Sequence, residues 1–205
     1  MIKKLQALRA KKGLTLEELV VVIAIIGVLA AILVPTMLGV VEDSRVTSAD
    51  TAANQIKTQT TTWLTNMDAA RKGFKQDATT IATVNITVTG GSWNVTGSGT
   101  FANSGAAWSG SATDGTCFNV FIADTLRDIK DGKATIYLKN RAVIGVVYTE
   151  DTSENTTGFD NCWTAAKCNW AGGKAGKGNN GVIFGTSPKL LHDTSAAGAS
   201  GASTP

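Results

Sequence analysis

The sequence predicts an α+β protein in which one long N-terminal α-helix, its first half suited to a membrane, packs through its second half on a small antiparallel β-sheet head. Three observations predict it. Residues 19–41 run for 23 positions without a charge, and about 20 apolar residues at ~1.5 Å each span the hydrocarbon core of a bilayer. Residues 42–67 then place apolar side chains three and four apart, the mark of a helix with one buried stripe. Two later stretches, 84–96 and 135–148, hold alternating or β-branched runs around two-residue turns, which read as hairpins.

The flanks of the apolar run say more than its hydrophobicity. Ahead of it stand Lys3, Lys4, Arg9, Lys11 and Lys12 with no acid. Positive flanks stay in the cytoplasm, so everything after Val41 is expected outside. A secretory leader runs from its basic residues straight into its apolar core. Here Glu17 and Glu18 stand between the two, and an ionisable group at the edge of a membrane helix marks a functional site. Within the run, Pro35 removes a helical hydrogen bond and crowds the carbonyl of Ala31, while Gly27 adds a weak helix former. The stretch between them is where the helix is expected to bend or locally melt.

Gly13 ahead of Leu14-Thr15-Leu16-Glu17-Glu18, with Gly27 and Pro35 further on, closely resembles in order and spacing the N-terminus of type IV pilins and their pseudopilin relatives. The resemblance is confined to the first forty or so residues. It implies that a prepilin peptidase and methyltransferase cuts after Gly13 and methylates the new N-terminus, Leu14. It implies that Glu18 serves N-methylation and assembly by meeting the amine of a neighbouring subunit, and that melting between Gly27 and Pro35 accompanies incorporation into a filament. Leu14 stands where phenylalanine is commonest in the family, and Glu17 where an apolar residue is usual.

The same resemblance sets the organisation. Residues 1–13 are expected to be a cytoplasmic leader that is removed, 14–41 the membrane and polymerisation half of the helix, and 42–67 its extracytoplasmic half. Residues 68–193 form the head and 194–205 a disordered tail. The implied partners are further copies in a helical filament, the peptidase, pilus assembly machinery in the cytoplasmic membrane, and membrane lipid before assembly. The implied location is a single-pass membrane protein with its N-terminus inside, and later a cell-surface pilus serving adhesion, motility or DNA uptake.

Charge and cysteine content narrow the classes. The net charge is +3, but residues 1–13 hold five of the 19 cations and none of the 16 acids. Removing them leaves 14 − 16 = −2, so no basic field for nucleic acid remains. Cys117, Cys162 and Cys168 all follow the membrane run, where disulfides persist, and an odd number leaves one thiol over. Cys162 and Cys168 share a loop and are close enough in sequence to bridge. Cys117 opens an apolar helix and reads as a buried thiol. A bridge from Cys117 to either loop cysteine stays open.

In chain order, Val46, Ala49, Ala53, Ile56, Thr60, Trp63 and Met67 form the stripe of the helix, which is expected to run from Leu14 to Met67 with Asp50, Lys57 and Asn66 off it. Residues 68–78 read as a polar connection. Gly90-Gly91 closes a hairpin in which Val88 faces Trp93 and Ile86 faces Val95. Residues 97–115, rich in Gly, Ser and Ala, read as a surface loop. Residues 116–130 are predicted helical and stopped by Asp131-Gly132. A second hairpin turns at Lys139-Asn140, residues 151–181 form a long loop, and 181–185 a short last strand. The tail has nothing to bury.

Nothing after residue 67 assembles chemistry. His192 is the one histidine, too few for a metal site or a triad. Residues 176–181 spell GxGxxG but precede a strand instead of opening a helix, and no Walker A match occurs. Cys162 and Cys168 lack zinc-ligand spacing. Lys167, Lys174 and Lys177 with Trp163 and Trp170 fit a single-stranded nucleic acid in residue type alone, and binding of nucleic acid is left open. Asn85, Asn94 and Asn155 lie in N-x-Thr sequons. The reading is a structural filament subunit with no catalytic residue, metal or cofactor. A pseudopilin of a type II secretion or competence system would share the N-terminus. A membrane-anchored extracellular binding module or enzyme would need a polar constellation that residues 68–205 do not supply.

Overall fold

The structure is a computed structural model that describes residues 15–76, 80–102, 106–153, 156, 159, 162–165, 167–168 and 182–192. Two compact units divide the chain, Met1–Asp43 and Ser44–Pro205. In chain order the elements are α1 (Leu16–Ala69), β1 (Phe74–Lys75), β2 (Ala82–Thr89), β3 (Ser92–Gly97), β4 (Thr100–Phe101) and α2 (Phe118–Thr125). They continue with β5 (Gly132–Lys139), β6 (Ala142–Thr149), α3 (Cys162–Ala165), β7 (Lys167–Cys168), β8 (Gly185–Ser187) and β9 (Leu191–His192). The fold is α+β, a long N-terminal helix with antiparallel sheet, as the sequence predicts.

In the second unit α1 buries Val46, Ala49, Ala53, Ile56, Thr60, Trp63, Leu64 and Met67, the predicted stripe with Leu64 added. Thr60 lies in the core because its hydroxyl donates to the Ile56 carbonyl at 2.7 Å. Thr51, Thr58, Thr61, Thr62 and Thr65 likewise donate to the carbonyl four residues back. Residues that compete with helical hydrogen bonds thus spend that capacity on their own helix.

Five strands form the main sheet in the order β3-β2-β5-β6-β8, every neighbour antiparallel. Ile86 pairs with Val95 and Val88 with Trp93, the register the Gly90-Gly91 turn predicts. Both glycines have positive φ, 56° and 78°, as a primed hairpin turn requires. Alternation along the strands sends Val84, Ile86, Val88, Ile136, Leu138 and Val146 into the core shared with α1. Tyr137 and Val147 point the other way, into a second core with Phe159, Cys162, Phe184 and Leu190.

That second core corrects the reading of residues 151–181 as a plain loop. Tyr137 donates its hydroxyl to the Thr156 carbonyl at 2.8 Å and accepts the Phe159 N–H at 3.1 Å. The Trp163 ring lies where a side chain on Gly145 would be. The described parts of this segment therefore cover the outer face of β5 and β6.

Other expectations shift as well. Residues 97–115 contribute β4 and the buried Trp108, and residues 68–78 contribute β1 with the buried Phe74. Trp63, Phe74, Phe101, Trp108 and Phe118 pack ring to ring at 5.1–5.5 Å. Helix α2 stops at Thr125, five residues early, with Leu126 as its C-cap. The second hairpin turns at Asn140-Arg141, both at positive φ, one residue later than predicted. The last strand of the sheet is Gly185–Ser187 instead of 181–185. The leader 1–13, the GxGxxG stretch 176–181, Asn155 and the tail 194–205 lie outside the described residues.

Candidate functional site

The candidate site is the start of α1. Thr15 and Glu18 close a capping box there: the Glu18 N–H donates to the Thr15 hydroxyl oxygen at 3.2 Å, and Glu18 Oε2 accepts the Thr15 N–H at 2.9 Å. The Thr15 hydroxyl also donates to that oxygen at 3.0 Å. Two helix-end donors are satisfied this way. The signal stands in the sequence as Thr15-x-x-Glu18 before an apolar run. Glu17 is exposed beside it. Gly13 and Leu14 lie outside the described residues.

From Leu16 to Val41 the helix surface is uncovered and, past Glu17 and Glu18, carries no charge. The seventeen large exposed apolar side chains of the described residues all fall in this stretch, none less than 47% exposed. By length and composition the helix is able to cross a membrane. It continues unbroken across Gly27 and Pro35. Pro35 has no N–H for the Ala31 carbonyl. One residue on, the Thr36 hydroxyl donates to the Leu33 carbonyl at 2.9 Å, an ordinary back-bond to its own helix and not to the carbonyl that Pro35 leaves open. A side chain on Gly27 would meet nothing within 4 Å, so nothing among the described residues requires a glycine there.

The remaining candidates fall elsewhere. Cys117 is a buried free thiol against Gly110, and Cys162 is buried in the second core. Cys168 is in β7 and His192 in β9, and their side chains lie outside the described residues. Trp163 rests on Gly145 and on Tyr137, ring centroids 5.4 Å apart, so it is engaged in packing and does not form an open stacking platform. Trp170, Lys174 and Lys177 lie outside the described residues. Of the sequons, Asn85 is half-buried and accepts the Thr135 hydroxyl at 2.9 Å, while Asn94 is exposed.

Electrostatics in the head come from turns and from one buried phenol. The Thr116 hydroxyl and N–H hold the Asp114 carboxyl below its usual range, and Ser153 does the same for Asp151. Burial, helped by Glu150 and Asp131, pushes the Tyr148 phenol up to about 12. No three His, Cys, Asp or Glu side chains group together as a metal site among the described residues. Neither a family model nor a solved structure matches the chain.

Proposed function

We propose that this chain is the structural subunit of a type IV pilus, made as a precursor, cut between Gly13 and Leu14, methylated on Leu14, and polymerised through its N-terminal helix. The observation that carries the reading is the uncovered apolar surface of α1 between Leu16 and Val41. An exposed patch of that extent needs a covering phase, and at ~25 cal/mol per Å² its burial is a large driving force. Lipid covers it before assembly and the same helices of other copies cover it afterwards.

Glu18 is the assembly carboxylate in this reading, with Gly27 and Pro35 the place where the helix yields in the filament. The Thr15–Glu18 box holds that carboxylate against the Thr15 N–H, one residue along the sequence from the terminus this reading implies. In this reading the disulfide joins Cys162 to Cys168 and leaves over Cys117, a buried free thiol. The chain is not an enzyme.

Electron microscopy of material sheared from expressing cells tests the proposal. Long filaments containing this chain are expected, absent from cells lacking it. A chain that stays in the membrane fraction and forms none favours the pseudopilin reading, and a chain found free in the cytoplasm removes both.

A further inference from the structure

Resting on the reading as a filament subunit, we propose that the head carries two docking surfaces of opposite charge, each fitting the other surface on a second copy of this chain. The basic surface lies where α1 ends. Lys75 and Arg141 line an open groove there with Gly73, Phe74, Gln76 and Ala102, and the one acid beside it among the described residues, Asp68, lies against Gly73. Gln76 ties the groove together, donating to the Leu138 carbonyl at 2.7 Å and accepting the Arg141 N–H at 3.1 Å. Lys139 adds a charge on the same hairpin turn. Asp68 pairs with Arg141 at this end, and Asp114 lies near Lys72.

The acidic surface lies beside earlier turns of α1. Asp128, Asp131 and Glu150 line an open groove that also includes Ser48, Thr51 and Gln55, with Lys130 its one cation among the described residues. Arg45 approaches Glu150 at 3.7 Å with both side chains more than half exposed. Such a surface pair is weak enough for an incoming cation to displace.

The β5–β6 hairpin separates the two surfaces. Asp131 and Glu150 flank its open end, and Lys139 and Arg141 flank its turn. Eight residues at ~3.3 Å each put roughly 26 Å between them. The acidic groove reaches α1 at residues 48–55 and the basic one lies past Ala69, so the line from one to the other follows the helix. In the proposed contact the basic groove of one copy meets the acidic groove of the next. This heterologous contact repeats as an open helical array. Complementary charge of this kind sets register and rejects wrong placements more than it adds affinity.

The test expresses the full chain in cells lacking the wild type and measures sheared filaments, with circular dichroism and thermal unfolding of detergent-extracted protein as the folding check. Lys75→Glu with Lys139→Glu, and separately Asp128→Lys with Glu150→Lys, are each expected to lower filament yield by at least about tenfold with folding unchanged. The variant carrying all four changes reverses both surfaces and is expected to recover filaments. Wild-type yield from either pair, or no recovery in the fourfold variant, overturns the docking proposal and leaves the filament reading standing. Absence of filaments from the wild type removes both. Normal filaments from the Lys75→Glu, Lys139→Glu variant with lost retention of duplex DNA would assign the basic groove to a polyanion and overturn the proposal.

Discussion

The carboxylate of Asp50, in helix α1, accepts the backbone N–H of Thr186, in edge strand β8, at 2.8 Å across 136 residues of chain. Lys189 reaches the second carboxylate oxygen at 3.2 Å, and Ser187 donates to Asn54 one turn along the helix at 3.0 Å. Asp50 is therefore no solvated residue of the helix's polar face, as its position off the apolar stripe suggests, but the anchor that holds β8 against α1. Its side chain is 18% exposed.

Asp50→Ala leaves the Thr186 N–H and Lys189 without their acceptor. Hydrogen bonds to a charged group contribute about 1.5 to 3 kcal/mol each, and a stranded buried donor costs a similar amount. The expected loss for the head is about 2 to 3 kcal/mol, measured as a lower urea midpoint in detergent-solubilised protein with an unchanged slope.

Gly185 is the closest approach of β8 to the helix. A side-chain carbon there would lie 2.0 Å from the backbone carbon and oxygen of Ala49, atoms that cannot rotate away. Gly185→Ala is expected to detach the strand at a cost of about 3 kcal/mol. Hydrogen exchange at residues 185–187 reads this directly, and protection equal to wild type would contradict it.

How much of this was legible depends on pattern length. The α1 stripe and the first hairpin were read correctly because three-four spacing recurs over 20 residues and Gly90-Gly91 fixes a register. The aromatic core was missed because Phe74, Phe101 and Trp108 each stand alone in short polar or Gly-rich stretches with no period to reveal them. Their only signal was that large aromatics in such stretches are seldom left in water. The sequence overstates the length of helix α2 because Leu126 and Ile129 keep helical spacing after the helix has ended. Gly132, a helix stop by sequence pattern, starts β5 at φ 145°, with the Tyr148 ring packed where a side chain would be. Asn140 and Arg141 both adopt positive φ, a demand that Arg141 gives no sequence cue for.

The Tyr148 phenol predicts an alkaline weakness. Its folded value is raised to about 12 from 10.0, by burial first and then by Glu150 and Asp131. A raised value means the unfolded chain loses its proton first, so stability from this group is complete below pH 10 and falls as pH rises towards 12. Tyr148→Phe is expected to flatten that decline in thermal unfolding midpoints. It also removes the hydrogen bond to the Asp131 carbonyl at 3.1 Å, so its midpoint at pH 7 should be slightly lower.

At the helix start the two acids are expected to differ. Glu18 is held by Thr15, next in sequence to the proposed terminus, whereas Glu17 has no partner among the described residues. Glu18→Ala is expected to insert and be cut after Gly13, yet to be methylated poorly and to yield few filaments. Glu17→Ala is expected to assemble almost as wild type. Loss of filaments in Glu17→Ala alone would reverse the roles of the two carboxylates.

The most direct test of the account is mass spectrometry of the N-terminal peptide from purified, surface-derived protein. A processed filament subunit is expected to begin at Leu14 and to carry one added methyl group on its α-amine. A chain that begins at Met1, or after a cut beyond Val41 that removes the apolar helix, would contradict it.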